Sequence, residues 1–262
     1  MKLYFLGTGA ADFGEELNTR YQDRFSRDIR RSSALLVNDR LLIDCGPHTL
    51  HALEIAGKDA AAIRQLFITH THDDHFRPAD IAALDRTTGG RLQVYGSSEA
   101  VEVLQAAGVQ RERLHPVCFG EAKKSDGVCV TPLYSNHLAS RPEERTYHYL
   151  LEQDGRRVLY ATDGAWICNR TGKYLAQAAL DMWIVDCTVG DYTGDLRSFE
   201  HNSMPMIRMM ESGLRTRGTL TPDTRIVLTH LARTLHPGYA ETVQIAAGYG
   251  YSVAYDGAEF IV

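Results

Sequence analysis

A cluster of metal-ligating side chains occupies residues 70–75, which read His-Thr-His-Asp-Asp-His. The cluster directly follows a short apolar run, so it stands where a β-strand should end. Side chains two apart on an extended chain share a face, and His70 and His72 can therefore converge on one ion. Asp74 and His75 lie in the loop beyond and can turn toward a second ion. Because imidazole is the commonest metal-ligating side chain, we predict a metal site here rather than a solvated polar loop.

Three further potential ligands, His137, Asp163 and His230, each follow a strand-like run elsewhere in the chain. Taken singly, each could be a buried histidine or a turn-forming aspartate. Loops at one edge of a sheet can meet, however, and these three positions repeat the placement of His70. We therefore expect them to supply the ligands that the first cluster lacks.

Length and composition are those of an ordinary soluble globular protein, with 262 residues, 44% hydrophobic and 23% charged. No apolar run approaches the roughly 20 residues that a bilayer crossing needs, so we expect no membrane association. The five cysteines are widely spaced and form no Cys-x-x-Cys pair. This pattern argues against a disulfide framework and a thiolate zinc site, and it predicts a cytoplasmic location.

Strand-like and helical runs alternate along the chain, which indicates an α/β layered domain. No repeat, low-complexity tract or Pro/Gly linker divides the sequence, so we predict a single domain over residues 1–262. Asp256-Gly257, between two strand-like runs, is typical of a tight hairpin. Helical patterns are predicted at about residues 47–56, 78–85, 98–107, 171–179, 203–214 and 239–247.

The segment Asn18–Arg31 carries arginines at positions 20, 24, 27 and 31, which form one stripe of a helix. Tyr21, Phe25 and Ile29 form an adjacent stripe. We favour a solvated face whose arginines pair with nearby aspartates. The alternative is a cationic flap that recognises an anionic substrate, and whether the segment contacts substrate stays open.

Together these patterns resemble the metallo-β-lactamase superfamily. The resemblance covers essentially the whole chain, from Phe5-Leu6-Gly7-Thr8-Gly9 through Leu42-Ile43-Asp44-Cys45-Gly46 and the loop 70–75 to the C-terminal turn. It implies an α/β fold, the four-layer αββα sandwich, with a dinuclear metal centre at one edge. The ions would be zinc or manganese, with iron also compatible.

The resemblance also implies a role for each candidate ligand. His70, His72 and His137 would hold the first ion, whereas Asp74, His75 and His230 would hold the second, with Asp163 bridging the two and Asp44 fixing their geometry from behind. Two divalent ions roughly 3.5–4 Å apart lower the pKa of a shared water toward about 7. Hydroxide is then available at neutral pH, so the resemblance favours hydrolysis.

With a carboxylate at position 163, the chain resembles the phosphodiesterase, glyoxalase and lactonase branches of the superfamily. The resemblance is closest to the phosphodiesterase of phosphonate catabolism that opens cyclic ribose phosphates, and then to the tRNA 3′-processing nucleases. It implies a phosphodiesterase that acts on a small nucleotide or sugar-phosphate ester, either cyclic or open. The alternatives are a lactonase or thioester hydrolase with the same metal centre, or a non-catalytic metal-binding relative. The stretches that support the resemblance to the phosphodiesterase and the tRNA-processing nucleases are residues 130–133, 149–152, 185–187, 226–230 and 256–257.

His201 precedes a predicted helix start, where Ser203 is a suitable N-cap and Pro205 lies in the first turn. It could simply occupy that loop. The resemblance implies instead that His201 contacts the substrate phosphate or protonates the leaving oxygen, a task that suits imidazole. A water linked to Asp74 is the alternative proton donor.

The net charge of the chain helps to distinguish a small-molecule substrate from a nucleic acid. The formal net charge is −5, whereas a dedicated nucleic-acid binder usually presents a basic face. The sequence also lacks an inserted Gly/Pro-rich stretch that could form the arm with which the tRNA-processing nucleases grip their substrate. We therefore expect a small-molecule phosphoester rather than structured RNA, and the sequence leaves a homodimer open.

Overall fold

The computed structural model of the protein describes residues 1–19 and 23–262. The strands are β1 (Lys2–Gly7), β2 (Ala34–Val37), β3 (Leu41–Ile43), β4 (Gln65–Phe67), β5 (Gln93–Gly96), β6 (Leu114–Pro116), β7 (Lys123–Ser125), β8 (Val128–Tyr134), β9 (Tyr147–Gln153), β10 (Arg156–Ala161), β11 (Leu180–Asp186), β12 (Leu220–Thr229), β13 (Ser252–Val253) and β14 (Glu259–Ile261). The α-helices are α1 (Thr49–Ile55), α2 (Pro78–Thr87), α3 (Ser98–Ala106), α4 (Asn169–Tyr174), α5 (Met204–Thr216) and α6 (Tyr239–Tyr249).

The first compact unit comprises Met1–Cys118, Leu138–Thr146 and Tyr255–Ile261. Its seven-stranded sheet has the order β14-β1-β2-β3-β4-β5-β6. The first three pairings are antiparallel and the last three are parallel. Strands β2 to β4 are short runs in which every residue is buried, as expected for the centre of a covered sheet.

The second compact unit comprises Phe119–His137 and Tyr147–Ala254, with Val262. Its sheet has the order β13-β12-β11-β10-β9-β8-β7, and read from β7 it repeats the pattern of three antiparallel and then three parallel pairings. Trp183 on β11 and Leu228 on β12 belong to a buried cluster that includes Ile207 of α5. Burial of this apolar face of α5 stabilises the helix against the sheet.

Strand direction places the predicted ligands at common edges. In the first unit, β3 and β4 are parallel, so Asp44 and His70 follow strands that end at the same edge. In the second unit, β8 and β10 run the same way because each is antiparallel to β9, and β11 and β12 are parallel to β10. His137, Asp163 and His230 therefore follow strand ends at one edge of that sheet.

The predicted hairpin around Asp256-Gly257 is wrong. A turn is present, but β13 pairs with β12 whereas β14 pairs with β1 in the other sheet. The buried carboxylate of Asp256 explains the difference, because it accepts hydrogen bonds from the backbone N–H groups of Thr8 at 2.9 Å and Arg31 at 2.8 Å. These bonds fix the turn to the first unit rather than to β13.

The helix predicted over Asn18–Arg31 is also wrong for residues 23–31, which are irregular, and Arg20 and Tyr21 lie outside the described residues. Tertiary contacts of Arg31 override the helical pattern. Its buried guanidinium lies 3.6 Å from Asp256, donates to the Arg24 carbonyl at 3.2 Å and packs over Phe25. The role of this segment toward substrate stays a prediction.

The six predicted helices all have counterparts, although α4 ends five residues before the predicted end. Within residues 1–19 and 23–262, the structure has no helix that is both long and apolar enough to cross a membrane. The single domain, the cytoplasmic location and the homodimer stay predictions.

Candidate metal centre

The loop 70–75 follows β4 in the first unit and presents two pairs of ligand atoms. Ligand nitrogens of His70 and His72 lie within 4.8 Å of each other, and their rings meet edge to face. The Nε2 atom of His75 lies 3.2 Å from Oδ2 of Asp74. This loop therefore places its four predicted ligands in two neighbouring pairs.

Asp44 orients His75 from behind. It follows β3 with a φ of +64°, an uncommon conformation for a residue other than glycine. Its Oδ1 accepts the backbone N–H of Thr69 at 2.8 Å, and its Oδ2 accepts the Nδ1–H of His75 at 2.8 Å. Burial raises the pKa of Asp44, and His75 and Thr69 partly offset this by stabilising the carboxylate. With its Nδ1 proton held, His75 can offer Nε2 to a metal.

The hydroxyl of Thr69 extends this control to His70. It lies 2.9 Å from Oδ2 of Asp44 and 3.0 Å from Nδ1 of His70. Because the carboxylate only accepts, the hydroxyl donates to Asp44 and accepts from the His70 Nδ1–H. One buried carboxylate thus orients two histidines, and the sequence did not indicate Thr69.

The two residues after Asp44 contact the backbone of the loop 70–75 and fix its position. The backbone N–H of Cys45 donates to the His75 carbonyl at 2.9 Å. A Cβ at position 46 would collide with the carbonyl oxygen of Asp74, so glycine is required for this close approach. The motif Asp44-Cys45-Gly46 therefore fixes both the imidazole of His75 and the backbone of its loop.

Glu144 holds the same loop from the other side. Its buried carboxylate accepts hydrogen bonds from the hydroxyl of Thr71, between the two ligand histidines, and from the hydroxyl of Ser97 at 2.9 Å. Burial raises the pKa of Glu144, and the hydroxyls of Thr71 and Ser97 partly offset the shift. No feature of the surrounding sequence indicated this contact.

In the second unit, the structure brings together the four candidate residues His137, Asp163, His201 and His230. Oδ2 of Asp163 lies 3.2 Å from Nε2 of His230, and its Oδ1 lies 3.3 Å from Nδ1 of His201. The rings of His137 and His201 have centroids 5.2 Å apart. Asp163 and His230 both have positive φ values, +49° and +55°. Strained backbone of this kind is concentrated at functional sites.

Asp186, at the end of β11, is a buried partner that the sequence did not single out. Its Oδ2 lies 2.8 Å from Nδ1 of His201, and its Oδ1 accepts the Thr188 backbone N–H at 2.9 Å. The hydroxyl of Thr188 lies 2.7 Å from Nδ1 of His230. The second unit thus repeats the arrangement around Asp44, in which one aspartate and one threonine orient two histidines.

The charges of His201 and Asp186 support each other. Burial lowers the pKa of His201 because it disfavours the protonated imidazole. The attraction of the Asp186 and Asp163 carboxylates is larger than this effect and holds the pKa of His201 above its ordinary value. Burial favours the neutral carboxyl of Asp186, but His201 outweighs it and holds the pKa of Asp186 below its ordinary value. His201 therefore keeps its second proton to a higher pH than a free histidine.

These donor sets fit divalent ions. His70, His75 and His230 each have Nδ1 engaged by a hydroxyl or a carboxylate, which fixes the tautomer and directs Nε2 as the ligand. Carboxylate oxygens of Asp74 and Asp163 lie beside such nitrogens. Mixed imidazole and carboxylate ligands accept zinc, manganese and iron.

We expect Asp44→Asn to weaken zinc binding by about 10–100-fold. The asparagine oxygen can still accept the Thr69 N–H, but its amide group would donate to Nδ1 of His75. His75 would then carry its proton on Nε2, the atom that should bind the ion. Zinc titration against a chromophoric chelator measures the change.

Asp85→Asn is the matched control for this substitution. Asp85 is another buried carboxylate of the first unit, but it lies on α2 and pairs with Arg113 at 3.1 Å. Its replacement should leave zinc affinity unchanged. Equal affinities in the wild type and Asp44→Asn would contradict the orienting role of Asp44.

Most of the chain matches a known protein family by sequence. The family model described as "Beta-lactamase superfamily domain" matches residues 39–254. Ribonuclease Z of Pyrococcus abyssi is 30% identical over 108 residues, which make up 40% of this chain and 32% of that protein. The chain thus spans about a third of the length of this curated relative.

Solved structures with the same fold cover the whole chain. A diphosphatase from the PhnP family has a TM-score of 0.73 at 20% identity, with 100% of this chain and 97% of that chain covered. Zinc-bound PqqB of Methylobacterium extorquens has a TM-score of 0.75 at 15% identity, with 100% of both chains covered. These likenesses confirm the α/β metallo-β-lactamase fold predicted from the sequence. The family match and the donor sets described above together support divalent metal binding.

Proposed function

Because the chain belongs to the β-lactamase superfamily, we propose that it is a dinuclear metal-dependent hydrolase of small phosphoric diesters. The relatives represent both branches that the sequence resembles, since they include a ribonuclease Z and a diphosphatase of the PhnP family. The proposed substrate is a nucleotide or sugar-phosphate ester, cyclic or open.

The proposed ligand sets are those that the resemblance to the superfamily implies. His70, His72 and His137 would hold one ion, and Asp74, His75 and His230 would hold the other, with Asp163 shared between them. Zinc or manganese suits this set best, and iron is a further option. When bound, two such ions supply a water of lowered pKa and neutralise charge on the phosphate.

The observation that carries the proposal is the pairing of His201 with the buried Asp186, 2.8 Å away and beside Asp163. Asp186 accepts the Nδ1–H of His201, so Nε2 carries the second proton of the imidazolium. That proton can be donated to a phosphate oxygen or to the leaving oxygen. Asp74 has a supporting role, because a water held at its carboxylate is the alternative proton source.

A substrate panel tests the proposal. With zinc or manganese added, we expect turnover of bis-p-nitrophenyl phosphate and cyclic nucleotides and little turnover of acyl lactones or thioesters. Turnover of lactones or thioesters alone would show that the centre acts on carbonyls. Less than one metal ion per purified chain, together with no turnover, would identify a non-catalytic relative.

A second candidate function is RNA processing, because the relative from Pyrococcus abyssi is named ribonuclease Z. The net charge of −5 favours small esters over structured RNA. A tRNA precursor added to the panel distinguishes the two. Faster cleavage of the precursor than of cyclic nucleotides would favour the nuclease function.

A further inference from the structure

The turn Asp163–Trp166, which follows β10, has an unusual backbone at both ends. Asp163 has a φ of +49° and Trp166 a φ of +63°. Positive φ is a genuine outlier for a residue as bulky as tryptophan, and such strain persists only where surrounding contacts hold it in place. The contacts around this turn are therefore informative about the placement of Trp166.

Two asparagines next to candidate site histidines hold the turn. Nδ2 of Asn136 donates to the Ala165 carbonyl at 2.7 Å, and Nδ2 of Asn202 donates to the Gly164 carbonyl at 2.7 Å. The backbone N–H of Trp166 in turn donates to Oδ1 of Asn202 at 2.8 Å. Since these asparagines adjoin His137 and His201, the same contacts set the position of the indole relative to these histidines.

Gly164 shows how closely the turn is packed. A Cβ at this position would meet the hydroxyl oxygen of Ser135 and, at 3.0 Å, Nε2 of the buried His148. The hydroxyl of Ser135 also donates to the Asp163 carbonyl. The strained conformation of Trp166 is thus fixed on a rigid support rather than on a loose loop.

An apolar groove of about 380 Å³ lies beside this turn in the second unit. Trp166, Phe199, Met206 and Met209 supply aromatic and thioether surface to it, and Ser203, two residues after His201, lies on its wall. Trp166 is 39% exposed and Phe199 is 78% exposed. None of the described residues that line the groove is charged, so it suits a neutral planar group rather than a second phosphate.

We propose that Trp166 is a specificity-determining residue that stacks on a nucleobase of the substrate. The inference rests on the proposed function and narrows its substrate class to phosphodiesters with a nucleoside on one side. Stacking of a base on an aromatic ring is tolerant of base identity and contributes about tenfold to binding. Hydroxyl groups of Thr193 and Ser198 on the groove wall can pair with the edge of the base.

Intrinsic fluorescence tests the stacking without any turnover. The chain has two tryptophans, and Trp183 is fully buried in the core. We expect adenosine monophosphate to quench the emission of the zinc-loaded wild type, whereas ribose 5-phosphate, which lacks the base, should not. Trp166→Phe should abolish the quenching, because only Trp183 then emits. Quenching that survives in Trp166→Phe, or no quenching in the wild type, would overturn the proposal.

Kinetics supply the second readout. Thymidine 5′-(p-nitrophenyl phosphate) and methyl p-nitrophenyl phosphate have the same leaving group and differ in the nucleoside. Trp166→Ala should raise KM for the thymidine ester about tenfold and leave the methyl ester unchanged, with kcat little affected. Tyr174→Ala is the control, since Tyr174 is 45% exposed but does not line the groove.

The outcomes separate this inference from the proposed function. Failure to hydrolyse either ester would refute the proposed function, and the fluorescence experiment would still decide whether Trp166 binds a base. Equal effects of Trp166→Ala on both esters would refute the stacking role alone. Emission that depends on protein concentration rather than on nucleotide would show that a second copy of the chain covers the groove, which also overturns the proposal.

Discussion

Replacing Asp163 with asparagine should lower kcat/KM for bis-p-nitrophenyl phosphate by about 10³-fold and reduce the bound metal to one ion per chain or fewer. Asp163 supplies the carboxylate beside both His230 and His201, and it is the proposed shared ligand. A metal ion contributes several kcal/mol to the transition state, and about 4 kcal/mol corresponds to this factor. Steady-state kinetics and metal analysis by mass spectrometry measure the two effects.

Asparagine is the appropriate replacement because it tolerates the positive φ of Asp163 and is nearly the same size. The substitution therefore removes the charge with little backbone penalty. Asp223→Asn is the control, since Asp223 is an exposed aspartate on β12. Wild-type metal content and rate in Asp163→Asn would refute the proposed ligand role, whereas a normal metal content with a 10³-fold loss would place Asp163 in the chemistry alone.

The positions of the candidate ligands could be predicted because the signals are local. His70, Asp163 and His230 each follow an apolar strand, and the order of the parallel strands in the second unit brings the loops of Asp163 and His230 to one edge. The same reasoning predicted the N-cap at Ser203, whose hydroxyl accepts the Met206 N–H. Their roles as metal ligands stay predictions.

The contacts behind the ligands could not be predicted because they form only when distant segments meet. Thr69 is 25 residues from Asp44, and Glu144 is 73 residues from Thr71. A threonine or glutamate at such positions resembles any surface residue in the sequence. The position of Asp186 did indicate a site residue, because Asp186 is the last residue of an apolar strand, much as Asp44 directly follows one. Its contact with His201 could not be predicted, because a long loop separates the two residues in the sequence.

At the turn around Asp256, a local sequence pattern predicted a structure that contacts between distant residues override. Two short strands around Asp-Gly satisfy every local criterion for a hairpin. Instead, the carboxylate of Asp256 accepts hydrogen bonds from the backbone N–H groups of Thr8, just after β1, and of Arg31. A buried polar contact outweighed turn propensity, and no local pattern reveals it.

Replacing His201 with alanine should reduce kcat for esters with alkoxide leaving groups by about 10²–10⁴-fold, the range for loss of a general acid. Esters with a p-nitrophenolate leaving group should lose much less, because this weakly basic group departs without a proton. The hydrogen bond from Nδ1 to Asp186 leaves Nε2 as the donating atom. Comparing methyl and p-nitrophenyl esters of the same phosphate measures the difference.

His51→Ala is the control for this comparison, because His51 is an exposed histidine on α1 in the first unit. It should leave both rates unchanged. Equal losses for the two leaving groups in His201→Ala would mean that His201 binds the phosphate rather than protonates the leaving oxygen. No loss for either ester would remove His201 from the mechanism and leave the water held at Asp74 as the proton donor. The dependence on the leaving group therefore decides which of the two roles the Asp186–His201 pair performs.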